Sequence, residues 1–378
     1  MEKRVLKIQE YLRKNGFEKT VNDFKLKTRV YDKKTLFKYD QLISPTLMAL
    51  PEIQECRGLV LENDTWDVLS MSFIKFFNYG ESNAVKINWA TAKVLEKLDG
   101  SLISIYHDWN EGKWFAATSG MAEGEGMVNN KNNTTFSDLF WDTVNNKYNL
   151  NECLLDKDHV YVFELTTPYN IVVKPHGESE ATLLTVRNRV TFKELSGKDL
   201  EMCAISLGVP LVKSFNLNVS NVDHLLSTFD DMPWSEEGYV VRDGDDNRIK
   251  VKNPAYLQVH GLKGKSAEHN IMVIIKTNEI EEFAAVFPDR KEELIKLKEN
   301  YDKLINSLNE IWDELKLKIP KNISKEEKKK FAIALFETCE KYNIKEFSGM
   351  FFKLAQYKVS SVEEYIKEYD NKLLYKIL

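Results

Sequence analysis

Apolar and polar positions along the chain fall into two textures. Near the start, Val5, Leu6, Ile8 and Leu12 recur at helical steps and predict a short helix. From Phe24 to Val259 the apolar residues gather in short runs broken by turn formers. Leu59-Val60-Leu61, Trp114-Phe115, Tyr161-Val162-Phe163, Ile171-Val172-Val173, Leu183-Leu184 and Tyr239-Val240-Val241 predict strand cores. Ile103 and Ile105, alternating with Ser104 and Tyr106, predict another. Asn110-Glu111-Gly112 and Gly244-Asp245-Asp246-Asn247 predict hairpin loops, and helices are expected over 136–148 and 193–207. No regular βαβ alternation is visible, so the expected fold class is α+β with a largely antiparallel sheet.

After about residue 265 the period changes to three and four. Leu294, Leu297, Tyr301, Leu304, Leu308, Ile311 and Leu315 predict one long amphipathic helix, which Pro320 stops. Ser324 with Glu327, and Ser361 with Glu364, have capping-box spacing and mark two further helix starts. The expected organisation is a first domain over 1–262 and an all-helical second domain over 263–378. The aromatic and leucine stripes of the tail read as core, and Lys328-Lys329-Lys330 as a solvated face.

With 378 residues, 43% of them hydrophobic, the chain can bury the cores of two domains. A net charge of -5 excludes a general polyanion coat, although a basic cleft on an acidic body still attracts nucleic acid locally. No apolar run approaches the ~20 residues of a membrane span. Met1-Glu2-Lys3-Arg4 leads into a charged amphipathic segment and not a secretory one, so a cytoplasmic protein is expected. The four cysteines are scattered without a Cys-x-x-Cys pair and the six histidines lack ligand spacing, which points to reduced thiols and no transition metal.

Candidate chemistry centres on Lys97-Leu98-Asp99-Gly100-Ser101. A lysine amine attacks phosphorus only when neutral, and burial or nearby cations lower its pKa from about 10.4. The Asp-Gly turn beside it sets Lys97 at the mouth of a sheet. Other ionisable groups sit within or at the ends of apolar strands, where desolvation is costly. These are Arg57 before Leu59, Lys75 before Phe76, Glu164 after Phe163, Glu237 before Gly238-Tyr239, and Lys250 and Lys252, whose alternation puts both on one face. Four cations and two carboxylates around a candidate nucleophile suit a nucleoside triphosphate. The cations neutralise phosphate and press on the Lys97 amine, and the carboxylates hold a hard metal through oxygen.

In order along the chain, Lys97-Leu98-Asp99-Gly100-Ser101, Phe163-Glu164-Leu165, Glu236-Glu237-Gly238-Tyr239-Val240 and Ile249-Lys250-Val251-Lys252 resemble the motifs of covalent nucleotidyltransferases. Glu55-Cys56-Arg57-Gly58, Lys75-Phe76-Phe77-Asn78, Pro168-Tyr169-Asn170-Ile171-Val172, and Tyr256 with His260 narrow the likeness. They resemble ATP-dependent single-strand RNA ligases of the bacteriophage RNA ligase 1 type, over residues 37–260. The resemblance implies an antiparallel-sheet nucleotidyltransferase domain, then a helical domain concerned with RNA specificity.

It further implies that Lys97 takes AMP from ATP as a lysyl phosphoramidate and passes it to a 5′-phosphorylated RNA end, which a 3′-hydroxyl then seals. Tyr39, Arg57, Glu96, Leu98 and Gly100 would contact the nucleotide, and Lys75 the outgoing phosphates. Glu164 would hold ribose or metal-bound water, Glu237 would hold metal or orient the nucleophile, and Lys250 and Lys252 would grip the α-phosphate. Tyr256 would serve the RNA end and Glu281 a metal. Magnesium is the implied metal, with manganese as an alternative. The implied partner is single-stranded RNA or nicked-loop tRNA, with no membrane, handled by a monomer in the cytoplasm, that of the host if the chain is viral.

Where that family has a lysine after the nucleophile strand, this chain reads Phe115-Ala116-Ala117-Thr118-Ser119-Gly120, leaving Thr118 or Ser119 as the replacement. Gly120, Gly124 and Gly126 read as a flexible loop, since no Lys-Ser or Lys-Thr helix start follows them. The competing readings are a DNA ligase or capping enzyme, which would carry a β-barrel after Lys252, and an inactive nucleic-acid-binding relative.

Overall fold

The computed structural model describes all residues except 1–3, 41–42, 129–132, 149, 170–175, 196, 218, 231, 234–235, 255, 257–266, 287–289 and 320–324. The strand expected at Ile171-Val172-Val173, and the expected roles of His260, Pro320 and Ser324, lie outside the described residues. The chain divides into two compact units, Met1–His260 and Gly261–Leu378.

Strands of the first unit form three sheets. One runs in the order β1 (Leu26–Val30), β2 (Lys34–Tyr39), β3 (Arg57–Glu62), β4 (Val68–Ser70). With β5 (Phe77–Asn78), β6 (Lys93–Glu96), β7 (Ser101–Asp108), β8 (Lys113–Thr118), β9 (His159–Thr166) and β10 (Glu180–Asn188) following in sequence, the second sheet has the order β10-β9-β7-β8. The third adds β11 (Ser214–Phe215), β12 (Gly238–Arg242) and β13 (Arg248–Lys252) in the order β11-β6-β12-β13-β5. Pairing is antiparallel throughout the described strands except for β13 beside β5. The α+β class is therefore as expected from the broken apolar runs, and both expected hairpin loops join neighbouring strands.

Alternation along each strand decides what the sheets bury. Leu36, Val60 and Leu69 of the first sheet pack against Tyr106, Phe115, Val160 and Val162 of the second. The second sheet's other face, with Ile103, Ile105, Phe163 and Leu183, is covered by helices Phe136–Tyr148 and Gly197–Leu207. In the third sheet Val94, Tyr239, Val241, Ile249 and Val251 face inward onto Leu225 and Phe229. That leaves Lys250 and Lys252 on the opposite face of β13.

Two buried ion clusters were not apparent from the sequence. Lys34 is wholly buried and its Nζ lies 3.1 Å from the equally buried Asp108, with Glu111 and Glu123 also in contact. Glu194 binds Arg187 of β10 and Arg248 of β13, and Arg242 of β12 at 3.8 Å. It thereby straps the second sheet to the third. Burial raises the Glu194 carboxyl, but the three guanidiniums outweigh it and hold the group at about 2. This cluster also corrects the helix expected over 193–207. Glu194 forms a β-bridge with Arg187, and the helix begins only at Gly197.

Among its described residues the second unit holds helices and no strand. Leu294, Tyr301, Leu308, Ile311 and Leu315 of helix Lys291–Lys316 are buried against the other helices, as the period predicted. Ser361 caps helix Val362–Glu368 by accepting from the Glu364 amide at 3.1 Å. No described helix is long and apolar enough to cross a membrane.

Candidate active site

Lys97 is the first residue after β6. The register that pairs Glu96 with Tyr239 continues one step, and the Lys97 amide donates to the Gly238 carbonyl at 3.0 Å. Glu237, immediately before β12, is thereby drawn alongside, and its carboxylate forms an ion pair with the Lys97 ammonium. Gly238 has a φ of +127°, and a Cβ there would lie 2.3 Å from the Val251 carbonyl oxygen. Only glycine lets β12 and β13 approach closely enough to bring Glu237 in.

The turn after the nucleophile is equally tight. A Cβ on Gly100 would lie 2.6 Å from the Leu165 carbonyl, so Gly100 is what allows this turn to lie on β9 beside Glu164. Glu164 projects from β9, which pairs with β7 through Leu102. Burial raises its carboxyl to about 7. Lys97, Arg57 and the Gly100 amide oppose that rise, and the nearby Glu237 charge adds to it. His176 Nε2 lies 2.9 Å from the Asp99 carbonyl in the same turn, a contact that the sequence did not suggest.

Arg57, Lys97, Glu164 and Lys250 share one cavity of about 270 Å³ with Glu96, Leu98 and Gly100. Its apolar wall was not foreseen. Leu95, Leu102, Leu184, Val212 and Val240 line one side, with Phe73 and Phe76 towards the cations. Such residues show only as strand cores in a sequence, and their shared wall arises from pairing between distant segments. Arg248 also reaches the cavity, with its guanidinium 5.0 Å from the Phe73 ring centre. The Arg57 guanidinium lies 5.0 Å from the Phe76 ring centre. Its Nη1 is buried and meets no hydrogen-bond partner among the described residues.

Lys97 is ion-paired with Glu237, and the Lys250 amine is driven well below its usual range. Burial is the main cause there, with repulsion from Lys75, Arg57, Lys97 and Lys252 adding to it. Lys75 and Tyr39 stand together, the Lys75 Nζ 5.4 Å from the Tyr39 ring centre. Neither they nor Lys252 line the cavity. Tyr256, expected at the RNA end, is only 1% exposed. Its ring is packed away from solvent. Glu281 lies in the second unit, on helix Ile280–Val286.

A pocket with an apolar half, an unsatisfied guanidinium, crowded lysines and two carboxylates can hold a nucleoside beside its phosphates. Comparison with known proteins agrees with this chemistry. A family profile described as RNA ligase matches residues 55–256, more than half of the chain, spanning Lys97, Glu164, Glu237, Lys250 and Lys252. An RNA ligase of Rhodothermus phage RM378 is 28% identical over 356 residues, covering 76% of this chain and 79% of its own. RNA ligase 1 of Bacteriophage TS2126 is 37% identical over 76 residues, 18% of this chain and 19% of that protein. Among solved structures, an archaeal ATP-dependent RNA ligase is similar over 88% of this chain and 90% of its own. Its identity is 13% and its TM-score 0.44, too loose a likeness to carry weight.

Proposed function

Because the chain belongs to the RNA ligase family, we propose that it is an ATP-dependent ligase joining a 5′-phosphate RNA end to a 3′-hydroxyl end through lysyl-AMP and RNA-adenylate intermediates. The observation that carries this reading is the Lys97–Glu237 ion pair at a cavity that Arg57 and Lys250 also line.

Adenosine fits the wall of Leu95, Leu184, Val212 and Val240, with Glu96, Leu98 and Gly100 along its edge. Lys97 Nζ then attacks the α-phosphorus. A P–N bond forms, the bond to the bridging oxygen breaks, and pyrophosphate leaves with that electron pair. Glu237 is paired with the amine, so it takes the proton that the Lys97 ammonium must lose before attack, and the second proton, released as the P–N bond forms, leaves with pyrophosphate. Lys250 is poorly tolerated as a cation in the bare pocket and regains a counter-charge when phosphate arrives. It therefore favours the charge that builds at phosphorus, aided by Arg57 in the cavity and by the longer-range charge of Lys252 outside its lining. Positioning and charge stabilisation do most of the work in such transfers.

A divalent metal is part of this proposal. Among the described residues no third acidic, histidine or cysteine group joins Glu164 and Glu237 in a cage. Two carboxylates suit magnesium, which keeps several waters and takes other ligands from phosphate. Glu164 and Glu237 would hold it, and it would neutralise phosphate charge. Manganese suits the same oxygens.

The first unit is then the adenylyltransferase and the helical second unit a determinant of RNA choice, with single-stranded RNA or a nicked tRNA loop as substrate. It acts as a monomer in the cytoplasm, that of a host if it is viral. The test is incubation with ATP labelled at the α-phosphate and magnesium, followed by 5′-phosphorylated single-stranded RNA. Label is expected on the protein, then on the RNA end, with circles accumulating, and Lys97→Ala takes up none. Labelling by GTP alone, or sealing of DNA alone, would reject the proposal in favour of a capping enzyme or a DNA ligase.

A further inference from the structure

We infer that Asn253 is the positioning residue that sets the Glu237 carboxylate against Lys97. Asn253 follows β13 directly and is wholly buried. Its Nδ2 donates to the carbonyls of Pro233 at 3.0 Å and Glu236 at 3.1 Å, and its backbone amide donates to the Glu237 carbonyl at 2.9 Å. All three hydrogen bonds end on the short segment that delivers Glu237. A Gly238 Cβ would lie 2.9 Å from the Asn253 nitrogen, so the two segments pack with no room for a side chain at 238.

The chemistry of the side chain explains why it is an amide. Two carbonyls from one turn converge on it, and an amide NH2 is the short neutral group that supplies two donors. A serine supplies one. An aspartate supplies none and places negative oxygens against carbonyl oxygens in a dry site, where the mismatch costs most. Glu237 has little freedom of its own to correct such an error, because Gly238 on its other side is held by Lys97. The turn is thus clamped at both ends, by Asn253 from β13 and by Lys97 from β6. Displacement of about 1 Å at a reacting group is enough for a hundredfold loss.

This inference rests on Lys97 and Glu237 being the nucleophile and its partner. In full-length protein, Asn253→Asp and Asn253→Ser are compared with wild type, well below their melting temperatures, in single-turnover formation of lysyl-AMP at saturating ATP. The expected result is a fall of about tenfold to a hundredfold for Asn253→Asp and a smaller one for Asn253→Ser. The KM for ATP should move little. In a Glu237→Ala background the Asn253→Asp change is expected to cost almost nothing more, because both act through one carboxylate. A merely structural role would instead lower stability and leave the rate constant unchanged, or cost the same in both backgrounds, and either result overturns the inference. If wild-type protein takes up no adenylate, the ligase reading fails and a second readout decides this one. The pH profile for labelling Lys97 with an amine-reactive ester, followed by peptide mass spectrometry, should move in Asn253→Asp towards that of Glu237→Gln. A profile that stays with wild type rejects Asn253 as the positioning residue.

Discussion

The amide of Lys97 and the carbonyl of Gly238, 3.0 Å apart, join the end of β6 to the start of β12. This single bond sets the candidate nucleophile one residue away from its carboxylate partner. It depends on a backbone conformation that other residues adopt only under strain.

Gly238→Ala is therefore expected to separate the two side chains. The new methyl would meet the Val251 carbonyl, so β12 must shift, at a cost of about 1–3 kcal/mol. Formation of lysyl-AMP should fall by at least tenfold. Thermal melting together with single-turnover labelling checks this, and unchanged values for both would contradict the geometry.

Lys250→Met should stabilise the protein while disabling it. The folded state depresses the Lys250 amine below its ordinary 10.5, so the unfolded chain binds more protons between the two values. Wild-type stability consequently rises with pH across that window, and its full penalty is present below it. Methionine removes the buried charge, and a gain of about 1 kcal/mol with a rise in Tm of a few degrees is expected at neutral pH. Adenylate transfer should drop by about a hundredfold or more. Calorimetry and labelling at pH 7 measure the two effects.

Glu194→Gln tests the strap between the second and third sheets. The folded carboxyl sits at about 2 against an ordinary 4.5, so its contribution is fully present above 4.5 and is lost as pH falls through 2. At ~1.4 kcal/mol for each pKa unit the difference is about 3 kcal/mol. Neutralising it also takes the counter-charge from Arg187 and Arg248, while Arg242 keeps Asp246, and breaking such a buried pair costs about 3–5 kcal/mol. Urea titrations should show a large deficit at pH 7 that narrows between pH 4.5 and pH 2. A deficit independent of pH would mean that the carboxylate charge is irrelevant.

Lys34→Met should cost about 3–5 kcal/mol, since it strands the buried carboxylate of Asp108. Combining it with Asp108→Asn should recover part of that loss, because the fully buried carboxylate leaves with its cation while Glu111 and Glu123, about a third exposed, still reach solvent. Denaturant melts of the two single variants and the double variant provide the comparison. A double variant no more stable than Lys34→Met would show that burial of charge is not the cause.

Much of this was legible before any fold was known. Broken apolar runs located β3, β7, β8, β9, β10 and β12, and a three-four period located helix Lys291–Lys316. Charged residues inside or at the ends of those runs picked out Arg57, Lys75, Glu164, Glu237, Lys250 and Lys252, because an apolar strand tolerates a charge only when something answers it, and the Asp-Gly turn beside it picked out Lys97. Each of these signals is local and needs only neighbouring residues. Helix Gly197–Leu207 was placed too early because Glu194 is claimed by arginines from three other strands.

The order and type of the ionisable residues, and hence the class of chemistry, follow from the sequence by itself. Which of them meet was decided only when the strands paired. Lys97 and Glu237 are distant in the chain and come together through sheet register. The apolar wall, the depressed amine of Lys250, the buried ring of Tyr256 and the Asn253 clamp likewise arise from packing between segments far apart. Contacts of that range depend on which surfaces exclude water together, and no single stretch of sequence encodes that.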